Sequence, residues 1–132
     1  MTEKIIETRV SKTWLGDDGI LRESLFRGAG VTLDDMKEII AAQFEFTKEK
    51  KVPLLVDMRT IKSTTRDARV YASSEKTEDA VSAVALLVSS PVSKVLGNFF
   101  IGVNKPPYPR KLFTSETNAV EWLKKFLPRD PG

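Results

Sequence analysis

The 132-residue chain contains no cysteine and no histidine. It therefore has no thiolate nucleophile, no disulfide and no Ser-His-Asp triad, and it lacks the usual nitrogen and sulfur ligands of zinc. The groups that remain for catalysis are carboxylates, lysine, tyrosine and hydroxyls, and they form no convincing constellation. We therefore expect a non-enzymatic protein without catalytic residues, metal site or cofactor.

Long apolar runs are also missing from the chain. No segment approaches the roughly 20 apolar residues that span a bilayer, and the first residues lack the basic-then-apolar order of a signal peptide. The seven glycines are scattered and form no phosphate-binding loop. We expect a cytoplasmic protein with no membrane span.

Charge of one sign is not concentrated anywhere along the chain. The 21 basic and 18 acidic residues give a net charge of +3 and are interspersed. This pattern is typical of a solvated surface, so we expect no nucleic-acid partner. The length predicts one domain over residues 1–132, with an ordered core at about residues 4–127.

Hydrophobic periodicity predicts alternating strands and helices. A β-hairpin is expected first, with strands at 6–14 and 20–26 and a turn at 16–19. A helix capped by Thr32 should then extend to Lys48. The later elements are a strand at 52–58, a helix at about 65–78, a strand at 81–89, a helix begun by Ser90-Pro91, a short edge strand at 111–113 and a final helix capped by Thr114 or Ser115. The order ββαβαβαβα predicts an α/β fold in which helices pack against a mixed sheet.

The hairpin, the LLVDMR strand, the hydroxyl-rich loop, the AVALLVS strand and the FTSETNAVEWLKKF helix together resemble the STAS family of sulfate transporters and anti-sigma factor antagonists. The chain is similar to a bacterial branch of small STAS-like or CRAL-TRIO-like proteins. In antagonists of this family, a serine at the start of the helix after the central strand permits docking on an anti-sigma kinase. Phosphorylation of that serine breaks the contact.

The chain departs from the family pattern at this switch. An ungapped match from Asp57 places Thr65 at the family aspartate, and Arg66 and Asp67 at the two hydroxyl positions. A small shift of the loop brings Ser63, Thr64 or Thr65 into place, so these three are the candidate phosphorylation residues. The alternative is that Thr64 or Thr65 is simply the N-cap of the helix.

Charged residues near this loop are candidates for contact with an anion or a partner. Asp57 and Arg59 follow the central strand, at the edge where open α/β sheets bind ligands, and Arg66 and Arg69 flank the helix start. Asp57 could instead hydrogen-bond the following loop. An enzymatic alternative would require Asp57, Arg59 and a second acid to converge in one cleft.

A third candidate region is apolar. Phe99, Phe100, Ile101 and Tyr108 could line a groove or a dimer contact, since two successive phenylalanines cannot point the same way on a helix. The alternative is that they complete the core.

These patterns favour a regulatory module that is STAS-like, resembles an anti-sigma factor antagonist and acts through protein–protein contact. Its partner would be an unidentified protein, in the family an anti-sigma kinase, and a homodimer is expected. The alternative is a module that binds a small apolar or lipid-like ligand. A partner module should expose the surface around residues 64–69, whereas a ligand module should contain a deep apolar cavity.

Overall fold

The computed structural model describes residues 4–48, 50–72, 81–103 and 108–128, with the side chains of all of these except residues 99–103. The predicted α/β class is confirmed. In chain order the elements are β1 (Ile5–Glu7), β2 (Ser11–Leu15), β3 (Leu21–Leu25), β4 (Gly30–Val31), α1 (Leu33–Phe46), β5 (Val52–Asp57), β6 (Ser63–Thr64), α2 (Arg66–Ala72), β7 (Val81–Leu87), α3 (Pro91–Val103), β8 (Arg110–Phe113) and α4 (Glu116–Lys124).

Six strands form one mixed sheet in the order β1-β2-β3-β5-β7-β8. Strands β1 to β3 pair antiparallel, whereas β3, β5, β7 and β8 pair parallel. The parallel part advances in one direction across the sheet. Right-handed crossovers therefore carry α1, α2 and α3 over the same face.

Each face of the sheet packs its own hydrophobic cluster. Met36, Ile39 and Ala68 from α1 and α2 pack on the first face, and Ala119 and Leu123 from α4 pack on the second. Alternation along β5 divides its side chains between the faces, so that Leu54 joins the first cluster and Leu55 the second.

The first predicted strand is wrong as a single element. The hydroxyl of Thr8 accepts hydrogen bonds from the backbone N–H groups of Val10 and Ser11, at 3.2 and 3.1 Å. This side chain supplies an acceptor that a continuous strand would have provided from the backbone, so the chain reverses between β1 and β2. The predicted turn before β3 is present, with Gly19 at φ 85°.

The two predicted central strands do lie side by side. Leu54 pairs with Val84, and Asp57 pairs with Leu87. Pro53 is buried within β5, and the register shifts between Val52 and Pro53. A proline has no N–H to give to a ladder, so an irregularity is expected at this position.

The polar segment after β5 is not entirely a loop, as had been predicted. Ser63 and Thr64 form β6, which pairs in parallel with Gly30 and Val31 of β4. The following helix, α2, is described as far as Ala72, and the rest of its predicted length to residue 78 lies outside the described residues.

The predicted helix starts are present. Thr32 caps α1 and forms a capping box with Asp35, although α1 ends at Phe46 rather than at Lys48. The Ser90 hydroxyl accepts from the Ser93 N–H at 3.0 Å, and Ser115 rather than Thr114 caps α4.

Candidate functional site

The three candidate hydroxyls differ in exposure and in hydrogen bonding. Ser63 and Thr65 are exposed, whereas Thr64 is only 9% exposed. The Thr65 hydroxyl accepts from the Ala68 N–H at 3.3 Å and donates to the Asp67 carboxylate. Thr65 therefore occupies the N-cap position of α2, and its hydroxyl still faces solvent.

The two arginines of α2 have different surroundings. Arg66 is exposed, whereas Arg69 is half-buried and donates to the carbonyl and hydroxyl oxygens of Thr64 at 2.8 and 3.2 Å. Arg69 thus holds the β6–α2 junction. A role for either arginine in anion or partner contact stays a prediction.

An open groove runs between the start of α1 and the exposed side of α2. Its volume is about 660 Å³, and it is formed by Leu33, Arg66, Asp67, Val70 and Tyr71. We call this surface the α1–α2 groove. Val70 in this lining is 41% exposed. Apolar and charged side chains therefore lie next to each other on this surface.

Asp57 and Arg59 lie together at the carboxyl end of β5. The Arg59 guanidinium donates to both carboxylate oxygens of Asp57, at 3.0 and 2.7 Å, and lies 3.7 Å from Glu116 at the start of α4. The hydrogen bond to Asp57 raises the pKa of Arg59. The structure therefore brings together the three groups that the enzymatic alternative required, but as an ion-pair network in which the guanidinium already holds the acids.

Of the four residues predicted to line an apolar groove, the structure describes the side chain of Tyr108. The backbones of Phe99, Phe100 and Ile101 belong to α3, and their side chains lie outside the described residues. Tyr108 is half-buried and packs against the core on the first face of the sheet.

A cavity of about 80 Å³ lies beneath α1, between this helix and the first face of the sheet. Its walls are mostly apolar side chains from β3, α1, β5 and β7. The polar residues in its lining are Glu23, Gln43, Thr64, Tyr108 and Arg110. We call this space the Glu23 cavity.

Glu23 is only 2% exposed, and the described side chains that act on it as donors are neutral ones, those of Ser11, Thr13 and Gln43. The Thr13 hydroxyl and the Gln43 amide donate to its Oε1 at 2.8 and 3.2 Å, and its Oε2 has no hydrogen-bond partner among the described residues. Burial raises its pKa to about 7, although the hydrogen bonds act in the opposite direction. Arg110, also in the cavity lining, has its pKa lowered by burial.

Sequence reasoning missed Glu23. A signal for it was present, because Glu23 alternates with Leu21 and Leu25 and so belongs to the apolar side of its strand. An acid on the apolar side of a strand is unusual, because glutamate is rarely buried without a partner. This position alone was therefore a reason to consider Glu23 as a functional residue.

A family model described as a domain of unknown function, DUF7793, matches residues 13–127. The chain belongs to this family. No curated protein matches this DUF7793 chain.

Two solved structures resemble the DUF7793 chain. One is an uncharacterized protein of the DUF3478 family with a SpoIIAA-like fold from Shewanella loihica PV-4, with 16% identity, 92% of each chain covered and a TM-score of 0.58. The other is a protein with unknown function from Arthrobacter sp. FB24, with 39% identity, 89% of this chain and 95% of that chain covered, and a TM-score of 0.35. The likeness to the Shewanella protein confirms the predicted STAS-like fold.

Within the described residues, no helix of the DUF7793 chain is long and apolar enough to cross a membrane. Nor do three acidic side chains cluster, in that part of the chain, as ligands for a metal ion. The absence of catalysis, the cytoplasmic location and the homodimer stay predictions.

Proposed function

We propose that the protein is a non-enzymatic regulatory module that docks a partner protein on its α1–α2 groove. The observation that carries this proposal is the position of the groove at the β6–α2 junction, on a STAS-like fold. In the family that the chain resembles, the corresponding helix start is the docking site. Apolar contact through Leu33 and Val70 would supply binding energy, and the charges of Arg66 and Asp67 would orient the partner.

Thr65 is the hydroxyl that best suits a switch at this groove. It is exposed, it directly precedes Arg66 of the groove, and its hydroxyl donates to Asp67, another groove residue. A phosphoryl group on Thr65 would remove the proton that is donated to Asp67 and would place a second negative group beside this carboxylate. The resulting repulsion would change the docking surface, which is how phosphorylation commonly disrupts a contact.

The experiment is affinity capture from the native cell with quantitative mass spectrometry. Wild type is compared with Val70→Asp, which places a charge in the groove, and with Ile5→Asp, which places the same charge at a 50% exposed isoleucine of β1 outside the groove lining. Partners retained by Ile5→Asp and reduced at least about tenfold by Val70→Asp support the proposal, since tenfold corresponds to the loss of one good contact. An identical set of proteins with both variants would contradict it.

The switch is tested with Thr65→Glu and Thr65→Ala in the same assay. We expect the glutamate variant to lose partners that the alanine variant keeps. If both variants capture what wild type captures, the hydroxyl switch should be abandoned.

Self-association is proposed on a different surface, along α3. Val92 and Val95 are exposed on this helix, which also carries Phe99, Phe100 and Ile101. Sedimentation equilibrium should show a dimer for wild type and a weaker dimer for Val92→Asp. A wild-type monomer at all accessible concentrations would rule out the dimer.

A second candidate function is a small-ligand module, and the Glu23 cavity favours it. The alternative of an apolar or lipid-like ligand required an internal apolar space. At about 80 Å³ this cavity suits a molecule of a few heavy atoms rather than a lipid chain.

A further inference from the structure

We propose that the Glu23 cavity binds a small molecule in which a short alkyl group carries one hydrogen-bond donor, the O–H of an alcohol or the N–H of an amine. This inference rests on the second candidate function above. It assigns the recognising group as the carboxylate of Glu23 and the ligand's apolar contacts as the side chains that line the cavity.

The free oxygen of Glu23 is the first argument. Oε1 already accepts from Thr13 and Gln43, whereas Oε2 has no hydrogen-bond partner among the described residues. Native proteins rarely leave a buried carboxylate oxygen unsatisfied. Glu23 lines the cavity, and the proposal places the ligand's donor against its Oε2, the oxygen that no described residue bonds.

The shape and chemistry of the walls are the second argument. Met36, Ile39 and Leu54 are among the apolar side chains around the space, and they offer dispersion contacts but no hydrogen bonds. The volume of about 80 Å³ is near half of the ~150 Å³ of an engineered apolar cavity that takes up benzene. A ligand of a few heavy atoms therefore fits, with its alkyl part against the walls.

The protonation state of Glu23 selects a donor rather than an acceptor. Its pKa of about 7 means that the carboxyl is ionised in mildly alkaline solution. An ionised carboxylate can only accept hydrogen bonds. An ether oxygen therefore cannot satisfy Oε2 under these conditions, whereas an alcohol or an ammonium group can.

The test uses three small probes, of which two are isomers, and the methionine methyl groups as reporters. The chain has three methionines, and two of them, Met36 and Met58, line the cavity. Methyl-labelled protein at about pH 8.5, where Glu23 is ionised, is titrated with 1-propanol, with ethyl methyl ether and with propylammonium. We expect saturating shifts at Met36 and Met58, with 1-propanol or propylammonium at least about tenfold tighter than the ether.

The variants identify the recognising group. Glu23→Gln keeps the shape but replaces an accepting oxygen with a donating amide or a weaker acceptor, so the affinity for 1-propanol or propylammonium should fall about tenfold. Glu45→Gln is the matched control, since Glu45 is exposed on α1 and pairs with Lys4 and Lys48. Its affinity should equal that of wild type.

Three results would overturn the proposal. The first is the absence of any saturating shift, which would mean that the cavity holds water only. The second is equal affinity for 1-propanol, propylammonium and the ether. The third is an affinity in Glu23→Gln that equals the affinity of wild type. The comparison of probes on wild type needs no variant, so it decides the matter even if Glu23→Gln folds poorly. A tighter alcohol assigns the donor as O–H, and a tighter ammonium assigns it as N–H.

The outcome is separable from the partner-docking function. Val70→Asp should leave probe binding unchanged, because Val70 lies in the α1–α2 groove and not in the cavity lining. Glu23→Gln should in turn leave partner capture unchanged. Either function can therefore fail alone.

Discussion

Glu23 beneath α1 and Asp35 in the first turn of α1 are two buried carboxylates with opposite behaviour. They are 2% and 5% exposed, yet the pKa of Glu23 is raised to about 7 and that of Asp35 is lowered. For Glu23 the largest cause of the shift is burial, whereas for Asp35 it is the hydrogen bond from Arg9, whose side chain is 65% exposed. The depth of each carboxylate and the partners that it meets therefore set the direction of the shift together.

Part of the difference lies in the kind of donor that each acid meets. The Arg9 guanidinium donates to Asp35 through Nε at 3.0 Å and also through Nη2, and this bond is the main cause of the lowered pKa. The Thr32 N–H donates as well, at 2.9 Å. Among the described residues, Glu23 meets neutral donors, the hydroxyls of Ser11 and Thr13 and the amide of Gln43, and these do not offset the loss of water around its charge.

The largest expected effect is a pH dependence of stability that originates at Glu23. Its pKa is about 7 in the folded protein against an ordinary value of 4.5, so between these values the folded state binds a proton that the unfolded state has lost. The free energy of unfolding should therefore fall as pH rises through this window, by about 3 kcal/mol in all. Urea denaturation at a series of pH values between 4 and 8.5, roughly the span of the two pKa values, measures this fall.

Glu23→Gln is the control for this prediction, because glutamine has no proton to lose. Its free energy of unfolding should stay nearly constant between these pH values. The stability of the variant relative to wild type should therefore increase as pH rises. A wild-type curve as flat as that of the variant would mean that Glu23 is not buried as an acid.

The next effect is expected at Asp35, with the opposite sign. Because its pKa is lowered from 3.8, the charge of Asp35 stabilises the fold above that value, and this contribution is lost as pH falls through the folded pKa. Asp35→Asn should cost about 1–2 kcal/mol at neutral pH, since it removes a charge-assisted pair with Arg9. Denaturation at pH 7 and near pH 3 checks both the cost and its loss in acid. An equal cost at both values would contradict the role of the charge.

A smaller effect should follow from the other half of the capping box. Thr32→Ala removes the oxygen that accepts from the Asp35 N–H and should cost about 1 kcal/mol. Thr32→Ser keeps this acceptor and should cost much less. Thermal denaturation of the two variants separates the cap from mere side-chain size, and equal losses in both would contradict the capping role.

The smallest effect on the free energy of unfolding is expected at an acid that is not buried, Glu116, which forms an ion pair with Arg59. The two groups are 3.7 Å apart, and their side chains are 56% and 41% exposed to solvent, respectively. Glu116→Gln should therefore change the free energy of unfolding by less than about 0.5 kcal/mol. A loss above about 1 kcal/mol would show that the network at the end of β5 is a structural unit.

Much of the fold could be predicted because its signals are local. The apolar runs of β5 and β7 indicated buried parallel strands, and the hydroxyls of Thr32, Ser90 and Ser115 marked helix starts. The short strands β4 and β6 could not be found in this way, since two residues show no periodicity and their pairing joins segments over thirty residues apart. The break at Thr8 depends on a side chain that replaces a backbone acceptor.

The candidate sites differ in the same way, since one depends on local sequence and the other on tertiary packing. The exposed position of Thr65 at a helix start was predictable from the order of residues. The Glu23 cavity was not, because Glu23 meets Gln43 through the docking of α1 on the sheet, across 20 positions of sequence. Whether an acid on an apolar strand face finds a charged or a neutral partner depends on tertiary packing.

The register shift at Pro53 affects the whole of β5 and not only the pair of residues at which it occurs. Side chains alternate along β5, so a slip by one position would exchange its two sides. Leu55 and Asp57 would then turn beneath α1, and a carboxylate would enter the apolar layer. An imino acid at a shifted register disfavours that slip, and it thereby keeps the acidic end of the central strand pointed toward α4 and the outside of the molecule.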